Sequence, residues 1–148
     1  AKLGKAIEEG AVATINATDG SVPDQVRDIT AGGADVSVDA LGIKATMLNS
    51  VNSLRKGGIH VQIGITSSEE QGQVALPIDL ITMSEIEFRG SLGNPNDHYE
   101  PMLNMVASGR LHPETIIGER IALDDVPKVI ESMTTFQTMG FTTITDFS

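Results

Sequence analysis

With 148 residues, 40% of them hydrophobic and 20% charged, the chain is long enough to bury the core of one soluble globular domain. A net charge of −10, spread along the chain rather than run together, describes a solvated surface and offers no basic stripe for nucleic acid. No apolar run approaches the roughly 20 residues that span a bilayer; no secretion signal appears, so the cytoplasm is the expected compartment; and the absence of cysteine removes disulfides, thiol nucleophiles and thiolate zinc sites from these residues.

In chain order, Lys2, Leu3, Ala6, Ile7 and Ala11 recur at a loose helical spacing with Lys5, Glu8 and Glu9 on the polar side. No Ser, Thr, Asp or Asn stands ahead of this helix as a cap. AVATIN, residues 11–16, reads as a short strand. SVPDQVRDITAGG reads as an amphipathic helix ended by Gly32 and Gly33. ADVSVDALG is then a strand with Val36 and Val38 on one face, running into a glycine turn. IKATMLNSVNSLRKGG predicts a helix that turns Ala45, Leu48, Val51, Asn52 and Leu54 toward a sheet and places Arg55 and Lys56 at the negative end of its dipole. IHVQIGI is the next strand. QVALPIDLITMSEIEFRGSLG predicts a short strand near Val74–Leu76, a short helix and a strand ending at Gly90. HYEPMLNMVASGRL and LDDVPKVIESM read as helices, the second capped by Asp124 or Asp125, and FTTITDF as a closing strand.

Strand alternating with helix is the pattern of a parallel sheet covered on both faces, with ligands bound beyond the carboxyl ends of the strands. VDALG, VQIGI and FRGSLG each carry a glycine just past such an end. A glycine there either makes the strand-to-helix turn or lets a flat ligand come close to backbone. Other residues invite plainer readings. His60, His98 and His112 lack metal-ligand spacing, and His60, inside a strand, is expected to be a packed side chain. Asp35 and Asp39 bracket a strand on one face, open to an acid/base pair or to turn and cap duties. Met83, Met102, Met105 and Met133 are expected as core filler. Tyr99 has Leu103 four positions on, so the Tyr-Lys pair of short-chain dehydrogenases is missing, and there is no GxxxxGK[ST] phosphate loop.

In their order, Lys2-Leu3, Gly10-Ala11 with Ile15-Asn16, Gly32-Gly33-Ala34-Asp35, Val38-Asp39-Ala40-Leu41-Gly42, Gly57-Gly58, Ile63-Gly64 and Phe88-Arg89-Gly90-Ser91 resemble the coenzyme domain of the medium-chain dehydrogenase/reductase family, specifically its zinc-type alcohol dehydrogenases. The resemblance runs from Ala1 to about Phe147. It implies an incomplete, Rossmann-type doubly wound parallel sheet that lacks its first two strands, with a partial NAD(P)-binding domain over residues 1–110 and a tail over 111–148. Of the family order 3-2-1-4-5-6, AVATIN would be the third strand and the three glycine-ended strands the fourth to sixth. The pyrophosphate fingerprint GxGxxG does not occur in the chain.

The resemblance places Lys2 by the adenosine ribose and Ala40, Leu41 and Gly42 under the adenine. Ile63, Gly64 and Ile65 would line the nicotinamide ribose, and the backbone of Ser91, Leu92 and Gly93 would meet the carboxamide. Where several relatives carry an Arg for the pyrophosphate, Thr142 stands here. No residue of this chain is expected to be catalytic or to ligate metal. The implied activity is hydride transfer between NAD(P) and an alcohol, aldehyde or ketone in a zinc-dependent homo-oligomer. The expectation is that this is the rear part of a longer enzyme, inactive by itself and without tightly bound cofactor. A zinc-free quinone or enoyl reductase of the same superfamily and a non-catalytic α/β binding module are the alternatives.

Overall fold

The computed structural model describes residues 1–93, 98–135 and 138–148, and these divide into two compact units, residues 1–93 and 94–148. The first unit begins with α1 (Lys2–Glu8), followed by α2 (Val22–Thr30). Ser21 starts α2 by accepting the Asp24 N–H on its hydroxyl, with Pro23 in the first turn. The left-handed residue that ends this helix is Ala31, at φ 55°, rather than the expected glycines.

Three strands follow: β1 (Ala34–Asp39), β2 (Leu54–Gln62) and β3 (Glu87–Gly90), with α3 (Lys44–Asn52) after β1 and α4 (Ile78–Met83) after β2. All are parallel and lie in the order β1-β2-β3. The register pairs Ser37 with His60, Asp39 with Gln62, and His60 with Phe88. Because side chains alternate along a strand, Ser37, Asp39, His60, Gln62 and Phe88 share one face.

The expected helix over 43–58 stops at Asn52, because Leu54 already pairs with Ala34 as the first residue of β2. Its buried residues are therefore Met47 and Val51, rather than the whole stripe from Ala45 to Leu54. Arg55 and Lys56 leave the helix end for the strand, where the ladder register shifts. Arg55 instead reaches the exposed Asp35 carboxylate at 2.5 Å, a surface pair of small energetic weight.

Two expected strands do not form. Among the described residues, 11–16 have no ladder partner, and Val12 is 97% exposed, while Ile15 and Ala17 border a cavity of about 340 Å³ with Val22, Val26, Val38 and Asn49. β1 thus remains an edge strand. Residues 74–76 likewise have no ladder partner. A strand needs a neighbour to take its N–H and C=O groups, and hydrophobicity alone does not supply one.

The core of this unit sits at the amino-terminal ends of the strands, where Val51, Leu54 and Ile86 pack together with Ala34 and Ile81 against them. The opposite sheet face keeps Val36 and Val38 about half exposed. Met83, Met102, Met105 and Met133 are exposed, contrary to the core role expected of them; Met47 is the buried methionine among the described residues.

The second unit holds α5 (Tyr99–Ala107), a 3-10 turn at Pro113–Ile116, β4 (Ile117–Ala122), α6 (Val126–Thr134) and β5 (Phe141–Asp146). β4 and β5 are parallel neighbours joined through α6, with Ile121 buried. β4 shows no alternation in sequence, because its ladder is irregular on both sides of the Glu119–Ile121 stretch. Asp125 precedes α6 as expected, but its carboxylate receives Lys128 at 2.9 Å and caps no backbone N–H.

With so small a core, each buried apolar side chain carries a large share of stability. Leu54→Ala is expected to cost about 2–5 kcal/mol, read as a lower urea midpoint with the denaturant slope retained.

Candidate functional site

The carboxyl ends of β1 and β2 meet at Asp39, which is 3% exposed. Its backbone carbonyl accepts the N–H groups of Ile63 and Gly64, both at 2.9 Å. Its carboxylate accepts the N–H of Leu41 at 3.0 Å, that of Gly42 at 3.2 Å and the side-chain amide of Gln62 at 2.9 Å. One residue therefore turns the chain after β1 and ties it to the chain after β2. Burial pushes the Asp39 carboxyl up, but the hydrogen bonds from Gln62, Gly42 and Leu41 together outweigh it and hold the group below its ordinary value. Of the two duties open to Asp39, the structure shows the turn.

The two loops cross backbone to backbone. A Cβ on Gly64 would stand 2.3 Å from the Gly42 nitrogen, and one on Gly42 2.3 Å from the Ile65 carbonyl oxygen; Gly42 also has φ 88°. These glycines are accounted for by loop packing before any ligand is invoked. Gly90, the last residue of β3, has open space where a Cβ would be, and the next residue, Ser91, donates its N–H to the Gln62 carbonyl at 2.9 Å.

Behind the crossing runs a partly buried polar chain centred on His60. Gln62 meets the Nε2 of His60 at 3.0 Å, and the Nδ1 of His60 meets the hydroxyls of Ser50 at 3.0 Å and Ser37 at 3.3 Å. His60 is fully buried, with the Phe88 ring centroid 4.5 Å away. It is a packed histidine, as its place in a strand suggested. Gln62 escaped attention in the sequence, although IHVQIGI puts His60 and Gln62 at successive positions of one face of an otherwise aliphatic strand. Two polar residues on a covered face are a signal that they bond to each other or to the next strand.

What the strand ends present outward is apolar. Ala40 is exposed, Leu41 and Ile63 are each 49% exposed, and Ile65 and Leu92 protrude further. The backbone donors of Leu41, Gly42, Ile63 and Gly64 all point inward to Asp39, and the start of α3 is occupied too, since Lys44 donates its N–H to Glu70 at 3.0 Å. That bond, with those from Ser67, holds the Glu70 carboxyl below its ordinary value. Such a lip suits the flat face of a ring rather than a phosphate. The structure thus brings Ala40–Gly42, Ile63–Ile65 and Ser91 to one end of the sheet. Lys2 lies in the exposed first turn of α1, an element with no buried residue, and Thr142 lies on β5 in the other unit. Among the described residues, no three His, Asp or Glu side chains are grouped to hold a metal ion, and no helix is long and apolar enough to cross a membrane.

The family model described as zinc-binding dehydrogenase matches residues 1–108. The chain belongs to that family. Among curated relatives, a probable D-xylulose reductase A of Neosartorya fischeri is 30% identical over 101 residues, which is 68% of this chain and 27% of that protein. Among solved structures, the alcohol dehydrogenase TADH from Thermus sp. ATN1 superposes with a TM-score of 0.82 at 27% identity, covering 93% of this chain and 39% of that one. A short chain alcohol dehydrogenase from E. coli CFT073, described as complexed with cofactor NADH, superposes at 0.78 with 20% identity, covering 93% and 39%. This zinc-binding dehydrogenase chain therefore spans about a quarter of the length of its curated relatives and two fifths of the solved ones.

Gly64→Ala must force two backbones apart, at a cost on the order of 1–3 kcal/mol, seen as a lower melting temperature with the largest amide shifts at residues 40–42 and 63–65. A carboxyl depressed by folding contributes stability above its unfolded value and loses it as pH falls through the folded one. The Asp39 contribution is thus complete above about pH 4 and declines below the ordinary 3.8. Asp39→Asn should cost about 1–3 kcal/mol at neutral pH and flatten this acid limb in urea melts.

Proposed function

We propose that this chain is the coenzyme-side part of a zinc-type alcohol or polyol dehydrogenase, cytoplasmic and homo-oligomeric, that moves hydride between NAD(P) and an alcohol or carbonyl compound. Residues 1–110 are its partial coenzyme domain and 111–148 its tail. The observation that carries the reading is the apolar lip at the carboxyl ends of parallel strands, held by the crossing of the loops at Gly42 and Gly64. Family membership and the likeness to the NADH-bound structure support it.

The residues present fit the ring-bearing parts of a dinucleotide. Leu41 and Ala40 offer the adenine an apolar floor, Ile63 and Ile65 flank the nicotinamide ribose, and the segment from Ser91 to Gly93 faces the carboxamide. Since the Ser91 N–H is engaged with Gln62, the backbone group that residue would offer the carboxamide NH₂ is its carbonyl, an acceptor. The bound cofactor would supply the hydride or receive it. The chain's own contribution is to hold the ring flat and to keep water from one side of it, with the backbone N–H groups of Leu41, Gly42, Ile63, Gly64 and Ser91 already engaged. Among the described residues, no group of three His, Asp or Glu side chains is placed to hold zinc.

Titration of the 148-residue chain with NADH, followed by amide NMR, tests the reading. Shifts confined to residues 40–42, 63–65 and 91–93, with affinity in the millimolar range, are expected, because ring contacts without a pyrophosphate site give little binding energy. Micromolar affinity would contradict the expected lack of a phosphate site, and shifts elsewhere would remove the lip from the cofactor. For the assembly, the family resemblance implies edge-to-edge pairing of subunits through residues 74–76. Light scattering should give a mass above the 15.6 kDa of one chain; a stable monomer at all concentrations would rule that out.

A further inference from the structure

We infer that Gln62 is the positioning residue of the strand-end lip, its side-chain amide acting as an oriented strut that joins both crossing loops to the buried ring of His60. The inference deepens the cofactor reading, in that the lip it positions is the one assigned to NAD(P). The orientation follows from chemistry. The nitrogen of the amide lies 2.9 Å from the Asp39 carboxylate and 2.8 Å from the Gly64 carbonyl, both of which only accept. The amide oxygen must then face His60, at 3.0 Å from Nε2, so that nitrogen carries the ring proton. The opposite nitrogen, Nδ1, is left to accept from the Ser50 and Ser37 hydroxyls. Each link sets the direction of the next, from α3 through β2 to the end of β1.

The two donor bonds of the amide end on different loops. One holds the carboxylate that turns Leu41 and Gly42, and the other holds the Gly64 carbonyl directly. An apolar side chain of equal size would fill the space but release both. Gln62→Glu would do worse, since it aims an acceptor at two acceptors. That inversion has a specific remedy. When Asp39→Asn is combined with Gln62→Glu, the oxygen of the amide introduced at position 39 can keep the Leu41 and Gly42 N–H groups. Its NH₂ then donates to the carboxylate introduced at position 62, and the His60 Nε2–H still finds an acceptor there; the Gly64 carbonyl still faces that carboxylate, so the remedy restores the Leu41–Gly42 turn and not the loop after β2.

NMR on the full 148-residue chain decides the matter. In the unmodified chain, long-range ¹H–¹⁵N correlation at neutral pH should show His60 protonated at Nε2 and bare at Nδ1; the opposite tautomer would overturn the strut without any variant. In Q62E, exchange of the Leu41 and Gly42 amides should speed up about tenfold or more, and in the D39N/Q62E pair it should return to within about threefold of the original rate. Additive damage in the pair would show ordinary loss of packing and refute the assignment. NADH separates the two ideas. Loosened loops with unchanged NADH-induced shifts would overturn the cofactor reading and uphold the strut, whereas altered NADH shifts with unchanged amide exchange would overturn the strut.

Discussion

The loops at the carboxyl ends of β1 and β2 depend on the hydrogen bonds that converge on Asp39. Four backbone N–H groups and one side-chain amide end on this single residue, two of them on its carbonyl and the rest on its carboxylate. A buried carboxylate is costly unless it is fully paired, and here pairing is achieved by consuming the donors of two loops. The same bonds that stabilise the charge set the loop paths, which cross so closely that neither Gly42 nor Gly64 could carry a side chain. An electrostatic requirement thereby becomes a shape: a lip whose polar backbone faces inward and whose aliphatic side chains face out.

The polar chain behind the lip and the apolar core divide the sheet by length. Val51, Leu54 and Ile86 occupy the amino-terminal end, while Asp39, Gln62 and His60 occupy the carboxyl end of the same layer. Packing at one end tolerates small adjustments, because dispersion has no direction. The other end tolerates few, because each hydrogen bond there fixes the orientation of the next group.

The apolar surfaces left open belong to the same picture. Val36, Val38 and several methionines lie exposed on faces that helices or further strands cover in larger parallel sheets. The edge of β1 is unpaired within its sheet. The chain superposes on the solved dehydrogenase from Thermus sp. ATN1 over 93% of its own length and 39% of that chain's.

Local pattern was enough to read the α/β class, the three glycine-ended strands, the helix begun by Ser21 and the closing strand at Phe141–Asp146, because alternation, capping and turn chemistry act over a few residues. The order of motifs from Lys2-Leu3 to Phe88-Arg89-Gly90-Ser91 also sufficed to name the family that the model match over residues 1–108 shows. Pairing was decided only by the tertiary structure. AVATIN has strand composition and no neighbour, while Leu54 has helical company and a strand partner in Ala34. The site was split in the same way. The glycines were visible as letters, but their reason, a backbone crossing held from Asp39, lies in atoms far apart along the chain. So does the part played by Gln62, whose meaning is set by the Asp39 paired beside it and the His60 two residues back.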